Sequence, residues 1–186
     1  MKKHNFTLIE ILGVIALIVI IMVISIGVYS YSTDAAKEKA TKATIERIHS
    51  ALQILQDKGQ LPVTGGYVNI ALDPANKTLK INGSAVGSSS SGKDNYTGKI
   101  YTRFAKAIDA DSVAAIQDAN NNICDGWGQP LKICFPGKFN KGGIDILSPG
   151  GDGGFGEAAA DAPETDIAKY KDSEGDLICD DVSNFF

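Results

Sequence analysis

The chain has 186 residues and a formal net charge of −4, from 22 acidic and 18 basic side chains. A negative balance argues against nonspecific nucleic-acid binding. Beyond an apolar N-terminal stretch there is room for one domain of about 130 residues, enough to bury a core but not for the second domain of a larger enzyme. The N-terminus opens with a basic leader, Lys2-Lys3-His4-Asn5, then Phe6-Thr7-Leu8-Ile9-Glu10 and an uncharged run from Ile11 to Thr33, almost wholly apolar as far as Val28. As a helix rising about 1.5 Å per residue this run covers roughly 35 Å, a membrane-crossing length with a carboxylate at its start. An acid so placed must reach the interface or meet a positive partner, so the functional question falls on Glu10. A cleavable secretory signal fits poorly, because the segment exceeds a usual apolar core and no small-x-small site closes it.

Leader, Phe-Thr-Leu-Ile-Glu and apolar run together resemble the N-terminus of the prepilin family, which covers type IV pilins and the pseudopilins of type II secretion systems. The resemblance implies that a prepilin peptidase cuts between Asn5 and Phe6 and methylates the new amine, and that Glu10 guides packing against a neighbouring subunit. Asn5 stands where the family typically carries Gly. The implied fold is α+β: a long N-terminal helix, membrane-spanning in its first half and amphipathic in its second, packed on a small antiparallel β-sheet head. Residues 1–5 are then a leader, 6–32 the transmembrane and assembly part of the helix, and 33–186 a pilin-like globular domain that includes the amphipathic half. With the positive leader held in the cytoplasm, the expectation is a single-pass inner-membrane protein with a periplasmic C-terminal domain, later part of a pseudopilus or surface filament. Its implied partners are other copies of itself, the peptidase, an inner-membrane assembly platform and minor pseudopilins, with no nucleic acid expected.

From Thr33 the helix is predicted to continue to Lys58 and stop at Gly59. Ala36, Ala40, Ala43, Ile48, Leu52 and Leu55 recur every three or four residues as one stripe, with Lys37, Lys39, Lys42, Glu46 and Arg47 mostly elsewhere. Gly27 is a mild weak point in this helix, since Gly lowers helix stability without removing a backbone donor. Leu61 to Gly98 reads as loop-rich, punctuated by Gly65-Gly66, Asp73-Pro74, Asn82-Gly83 and a Gly- and Ser-rich tract, with Thr78–Ile81 as an edge strand. Ile100 to Ala119 suggests one or two short helices. Asp125-Gly126-Trp127-Gly128-Gln129-Pro130 is similar to a turn of major pseudopilins that leads into a central hairpin, here Leu131–Phe135 and Gly143–Leu147.

Half of the acids fall in the last 42 residues, 11 Asp and Glu from Asp145 to Phe186 against two Lys. Such a run is ordinarily a solvated face, but acids interleaved with Gly also suit a hard cation, because calcium takes six to eight oxygens from carboxylates and backbone carbonyls. Asp145-Ile-Leu-Ser-Pro-Gly-Gly-Asp152-Gly resembles the calcium loop of major pseudopilins, and Asp180-Asp181-Val182-Ser183-Asn184-Phe185 resembles their C-terminal ending. The resemblance implies a calcium site using the Leu147 carbonyl, Asp152, Asp180 or Asp181, and Ser183. Three cysteines allow one bridge and one free thiol, with Cys124 and Cys134 a candidate pair and Cys179 the third. Without a Cys-x-x-Cys pair, and with His4 and His49 far from all three, a zinc site is not expected.

Enzyme-like patterns fail on inspection. Gly151-x-Gly153-x-x-Gly156 leaves only 30 residues, too few for a dinucleotide-binding unit. No Ser, His and Asp set is available, and adjacent acids on a strand point to opposite faces. The resemblance implies a non-enzymatic subunit of a type II secretion-like pseudopilus. The alternatives are a type IV pilin for adhesion or DNA uptake, and a periplasmic binding protein that uses a prepilin-like anchor.

Overall fold

The computed structural model describes residues 8–87, 96–108, 117–156, 163, 166, 169–171 and 180–185, the side chains of 24–31 excepted. Helix α1 runs from Leu8 to Asp57. The chain divides into two units, Met1–Ala36 and Lys37–Phe186. In the first unit every described side chain from Leu8 to Val23 is exposed, including Leu8 at 79% and Ile9 at 76%.

The second unit is built on a sheet of six strands: β1 (Val68–Asp73), β2 (Thr78–Ile81), β3 (Ser84–Ala85), β4 (Lys132–Cys134), β5 (Asp145–Ser148) and β6 (Val182–Ser183). Its order is β3-β2-β1-β4-β5-β6, antiparallel throughout. Two three-stranded meanders thus meet at β1 and β4, and helix α2 (Thr97–Ala107) lies in the connection between them. Alternation along the strands sends Ile70, Leu72, Leu79, Ile81, Ile133 and Ile146 to one face. There they form a single core with Ile45, Ile48, Leu52 and Leu55 of α1 and Ile100 and Phe104 of α2. Leu147, one residue on from Ile146, faces the other way and joins Phe155 and Tyr170 in a second, smaller cluster edged by Tyr67, Phe139 and Phe185. Both faces of β5 are therefore covered, and all four of its residues are buried.

Three expectations are corrected here. Among the described residues no helix is long and apolar enough to cross a membrane. The membrane-spanning first half and the single-pass inner-membrane placement fall with that finding. Nor is the architecture a long helix laid on a small sheet: the sheet has six strands, and only the part of α1 from Lys37 belongs to the unit that contains it. The stretch read as loop-rich supplies three of those strands, and its strongest turn signal is a real hairpin. Asn82 and Gly83, both at positive φ (52° and 74°), join β2 to β3 in two residues.

The amphipathic half of α1 keeps Ile48, Leu52 and Leu55 in the core, but Ala36, Ala40 and Ala43 are exposed. Thr41 and Ile45 take the buried places, one helical turn apart. Gly59, at φ 62°, ends the helix and donates to the Gln56 carbonyl at 2.8 Å.

Candidate functional site

The sequence-predicted residues converge at one end of the sheet for a topological reason. In the antiparallel pair β5–β6, Ser148 faces Val182 and Leu147 faces Ser183. The glycine-rich loop that leaves β5 and the acids Asp180 and Asp181 that enter β6 therefore emerge side by side. Asp180 Oδ2 accepts the Gly151 N–H and, at 3.0 Å, the Asp152 N–H. Asp181 is buried, and its Oδ2 accepts the Gly156 N–H at 2.7 Å. Asp152 is exposed and folds its own Oδ1 onto the Gly154 N–H at 2.8 Å. Gly150, at φ 69°, lies so close to the Asp180 backbone that a Cβ there would collide with it.

On its other side the loop meets the Trp127 turn. A Cβ added at Gly151 would stand 3.1 Å from Trp127 Nε1, and one at Gly153 would stand 3.2 Å from Gln129 Nε2. Asp125, 3% exposed, organises that turn. Its Oδ1 accepts the Trp127 and Gln129 N–H groups, both at 2.9 Å, and its Oδ2 accepts the Ser148 hydroxyl. Ser148 Oγ in turn accepts the Gly150 N–H at 3.1 Å. The turn is also seated on α1: Gly126 N donates to Thr41 Oγ1 at 2.8 Å, and Thr41 donates to the Lys37 carbonyl at 2.9 Å. The two motifs read separately in the sequence are thus one hydrogen-bonded assembly, linked through Asp125 and Ser148. Sequence reasoning placed both residues inside motifs without giving either a role.

A further missed residue is Asp145, fully buried at the start of β5. Its Oδ2 accepts the N–H groups of Lys138 at 2.6 Å and Phe139 at 2.9 Å and the Tyr67 hydroxyl at 3.2 Å. Its Oδ1 accepts Asn140 N–H at 2.9 Å. Three backbone donors fix the β4–β5 loop around one carboxylate, and the Tyr67 hydroxyl before β1 is a fourth. Burial, followed by the neighbouring Asp145 charge, pushes the Tyr67 hydroxyl well above its ordinary range.

The donor chemistry at the loop is all oxygen, as calcium prefers. The structure brings Asp152 and Asp180 into one hydrogen-bonded loop, places Asp181 at its far end, and pairs Leu147 with Ser183 in the adjoining strands. Each acid already accepts backbone N–H groups, and among the described residues no three His, Cys, Asp or Glu side chains form a group that could hold a metal ion. Leu147 sends its side chain into the second cluster, and Ser183 Oγ accepts the Phe185 N–H at 3.3 Å.

The remaining candidates are quickly placed. Glu10 lies in the first turn of α1, exposed among exposed Ile9, Ile11 and Leu12. Asn5 and Phe6, and with them the cleavage and methylation site, lie outside the described residues, as does Cys179. Cys124 and Cys134 are buried free thiols. Each is satisfied locally, Cys124 Sγ by the Asn122 carbonyl at 3.5 Å and Cys134 Sγ by the Pro136 carbonyl at 3.4 Å. Burial pushes the Cys124 thiol up to about 11, with the Asp118 charge adding to it, and burial also raises Cys134.

No family model, curated protein or solved structure matches the chain.

Proposed function

We propose that this chain is a structural, non-enzymatic subunit of a type II secretion-like pseudopilus, assembled through its N-terminal helix and supporting protein export. The observation that carries the proposal is the surface of α1 from Leu8 to Val23. Thirteen large apolar side chains are exposed there, from 46% at Ile18 to 79% at Leu8, all round the helix. A helix apolar on every side is one that other chains cover. Covering a Leu, Ile or Val side chain contributes about 1.5–3 kcal/mol, while association costs about 4–15 kcal/mol, so several such contacts per neighbour outweigh the cost. Identical copies offer identical apolar helices, and head-to-tail packing that does not close makes a filament.

Within this proposal, cleavage between Asn5 and Phe6 frees an amine that pairs with Glu10 of an adjacent subunit. The value of that charge pair lies in setting the stagger between helices more than in raw stability. Calcium bound by Asp152 with Asp180 or Asp181, assisted by the Leu147 carbonyl and Ser183, would stiffen the glycine-rich loop after β5. What supports this part is the all-oxygen donor set and the convergence of the acids on one glycine-rich loop. The partners are further copies of the chain, the peptidase, the assembly platform and minor pseudopilins. Negative-stain electron microscopy after co-expression with a type II secretion assembly machinery tests the proposal. Fibres containing the chain are expected, and a folded chain that yields none rules the proposal out.

A further inference from the structure

The face of the sheet opposite the main core carries a polar groove that neither helix packing nor the calcium loop uses. Alternation along β1 puts Tyr67, Asn69 and Ala71 on this face. Register places Lys132 of β4 opposite Asn69, and Lys80 of β2 opposite Ala71. The small Ala71 side chain leaves a depression between these longer neighbours, a cavity of about 520 Å³ whose rim includes Asn82, Asn120 and Asn122. That volume lies within the usual range for small-ligand sites.

The groups lining it specify a chemistry. Lys80 is held by Asp73 at 2.9 Å, but the Lys132 ammonium has no hydrogen-bond or ion-pair partner among the described residues. Among the described residues Lys132 is thus the lysine of the lining that no carboxylate holds, while Asp118 is occupied by Asn120 and Asn122. Asn122 gives its Nδ2 to Asp118 at 2.8 Å and keeps its carbonyl oxygen as an acceptor. Asn82, exposed at the β2–β3 turn, and Asn120, exposed beside Asp118, each offer an amide with both donor and acceptor capacity. A bare inorganic anion would use the ammonium groups and waste the acceptors, whereas hydroxyl groups use both. Lys80 and Lys132 stand on strands flanking β1, about 10 Å apart across the sheet and offset by about 7 Å along it, a span suited to more than one ring.

We infer that the groove over Ala71 binds an acidic sugar, its carboxylate on Lys132 and its hydroxyls on the asparagine amides of the rim. This site is independent of filament assembly and of calcium. Isothermal titration of the full chain in detergent, with digalacturonate as probe, tests it against cellobiose, sulfate and a short polyglutamate. Digalacturonate should bind at least tenfold more tightly than any of the three and weaken as salt is raised. Lys132→Gln should lose at least tenfold in affinity with an unchanged melting temperature. Asn120→Ala, at an exposed loop position, should lose less and serves if the lysine variant misfolds. Absence of binding, equal binding of cellobiose, sulfate or polyglutamate, or variants that bind as the wild type does would each overturn the inference.

Discussion

Asp125 shows how much one buried carboxylate organises. It accepts two backbone N–H groups of its own turn and the hydroxyl of Ser148, so it couples the Trp127 turn to the loop after β5. A buried polar group left without its partner costs about 1–3 kcal/mol. Asp125→Ala should therefore lower unfolding stability by about 3 kcal/mol in urea denaturation, and Ser148→Ala by about 1 kcal/mol. Because the two share one bond, the double variant should fall short of additivity by at least ~0.5 kcal/mol; strict additivity would show that the link carries no energy. The thiols give a second test. Cys124 is raised to about 11, and Cys134 and Tyr67 are raised as well, so the unfolded chain ionises first as pH increases. Their contribution to stability is complete below about pH 8.5, the ordinary thiol value, and is lost as pH climbs toward the folded values. The urea midpoint should drop between about pH 8 and pH 10.5. Native protein at about pH 8 should leave both thiols unlabelled by iodoacetamide; rapid labelling of either would contradict their burial.

At the scale of elements, Gly126 is the position where turn and helix approach most closely. A Cβ there would stand 2.6 Å from the Lys37 carbonyl oxygen and 2.9 Å from its Cα, both backbone atoms that cannot move aside cheaply. Gly126→Ala should cost about 2 kcal/mol or more by thermal or urea denaturation, whereas Gly66→Ala, with nothing near its Cβ, should cost little. The hairpin β4–β5 was legible because apolar runs flank a Gly-rich loop. The β1–β3 meander was not, because Gly65-Gly66, Asp73-Pro74 and Asn82-Gly83 crowd so closely that turn signals outweighed the alternation of Val68 to Asp73. Those residues do make the turns, and of the short strands between them only Thr78–Ile81 stands out in the sequence. Along α1, small Ala side chains mimic a buried stripe, and only tertiary packing shows that Thr41 and Ile45 hold those places. Calcium belongs to this scale as well. An ion bound only by the folded loop would add about 2.7 kcal/mol at a hundredfold excess over Kd. The melting temperature should rise with calcium relative to a chelator, and Asp152→Ala should remove most of that rise. A folded protein indifferent to calcium would leave the loop held by its amide-to-carboxylate bonds alone.

For the molecule as a whole, the division at Ala36 separates a unit whose described side chains include none that is buried from one with a complete core. The sequence made the apolar run plain, because thirteen large aliphatic side chains leave no polar face to read. It overreached in assigning a membrane span and a small head. Length and hydropathy alone do not say what covers a helix, and the β1–β3 meander of the sheet was hidden in its turns. The convergence of Asp152, Asp180 and Asp181 was legible only as a pattern of acids and glycines; the reason for it, antiparallel pairing of β5 with β6, is a property of register. Assembly through the helix makes Glu10→Ala a sharp probe: the variant should fold with an unchanged head but yield few or no fibres by electron microscopy, and wild-type fibre numbers would remove Glu10 from the interface. Most direct is to ask what touches the helix. A photo-cross-linking residue placed at Leu12 should, on irradiation of assembled material, give a ladder of homo-oligomers, while the same residue at Val63, exposed on the head, should give none. Cross-links from position 12 to lipid or to unrelated proteins, with no ladder, would contradict assembly of the chain through its own helix.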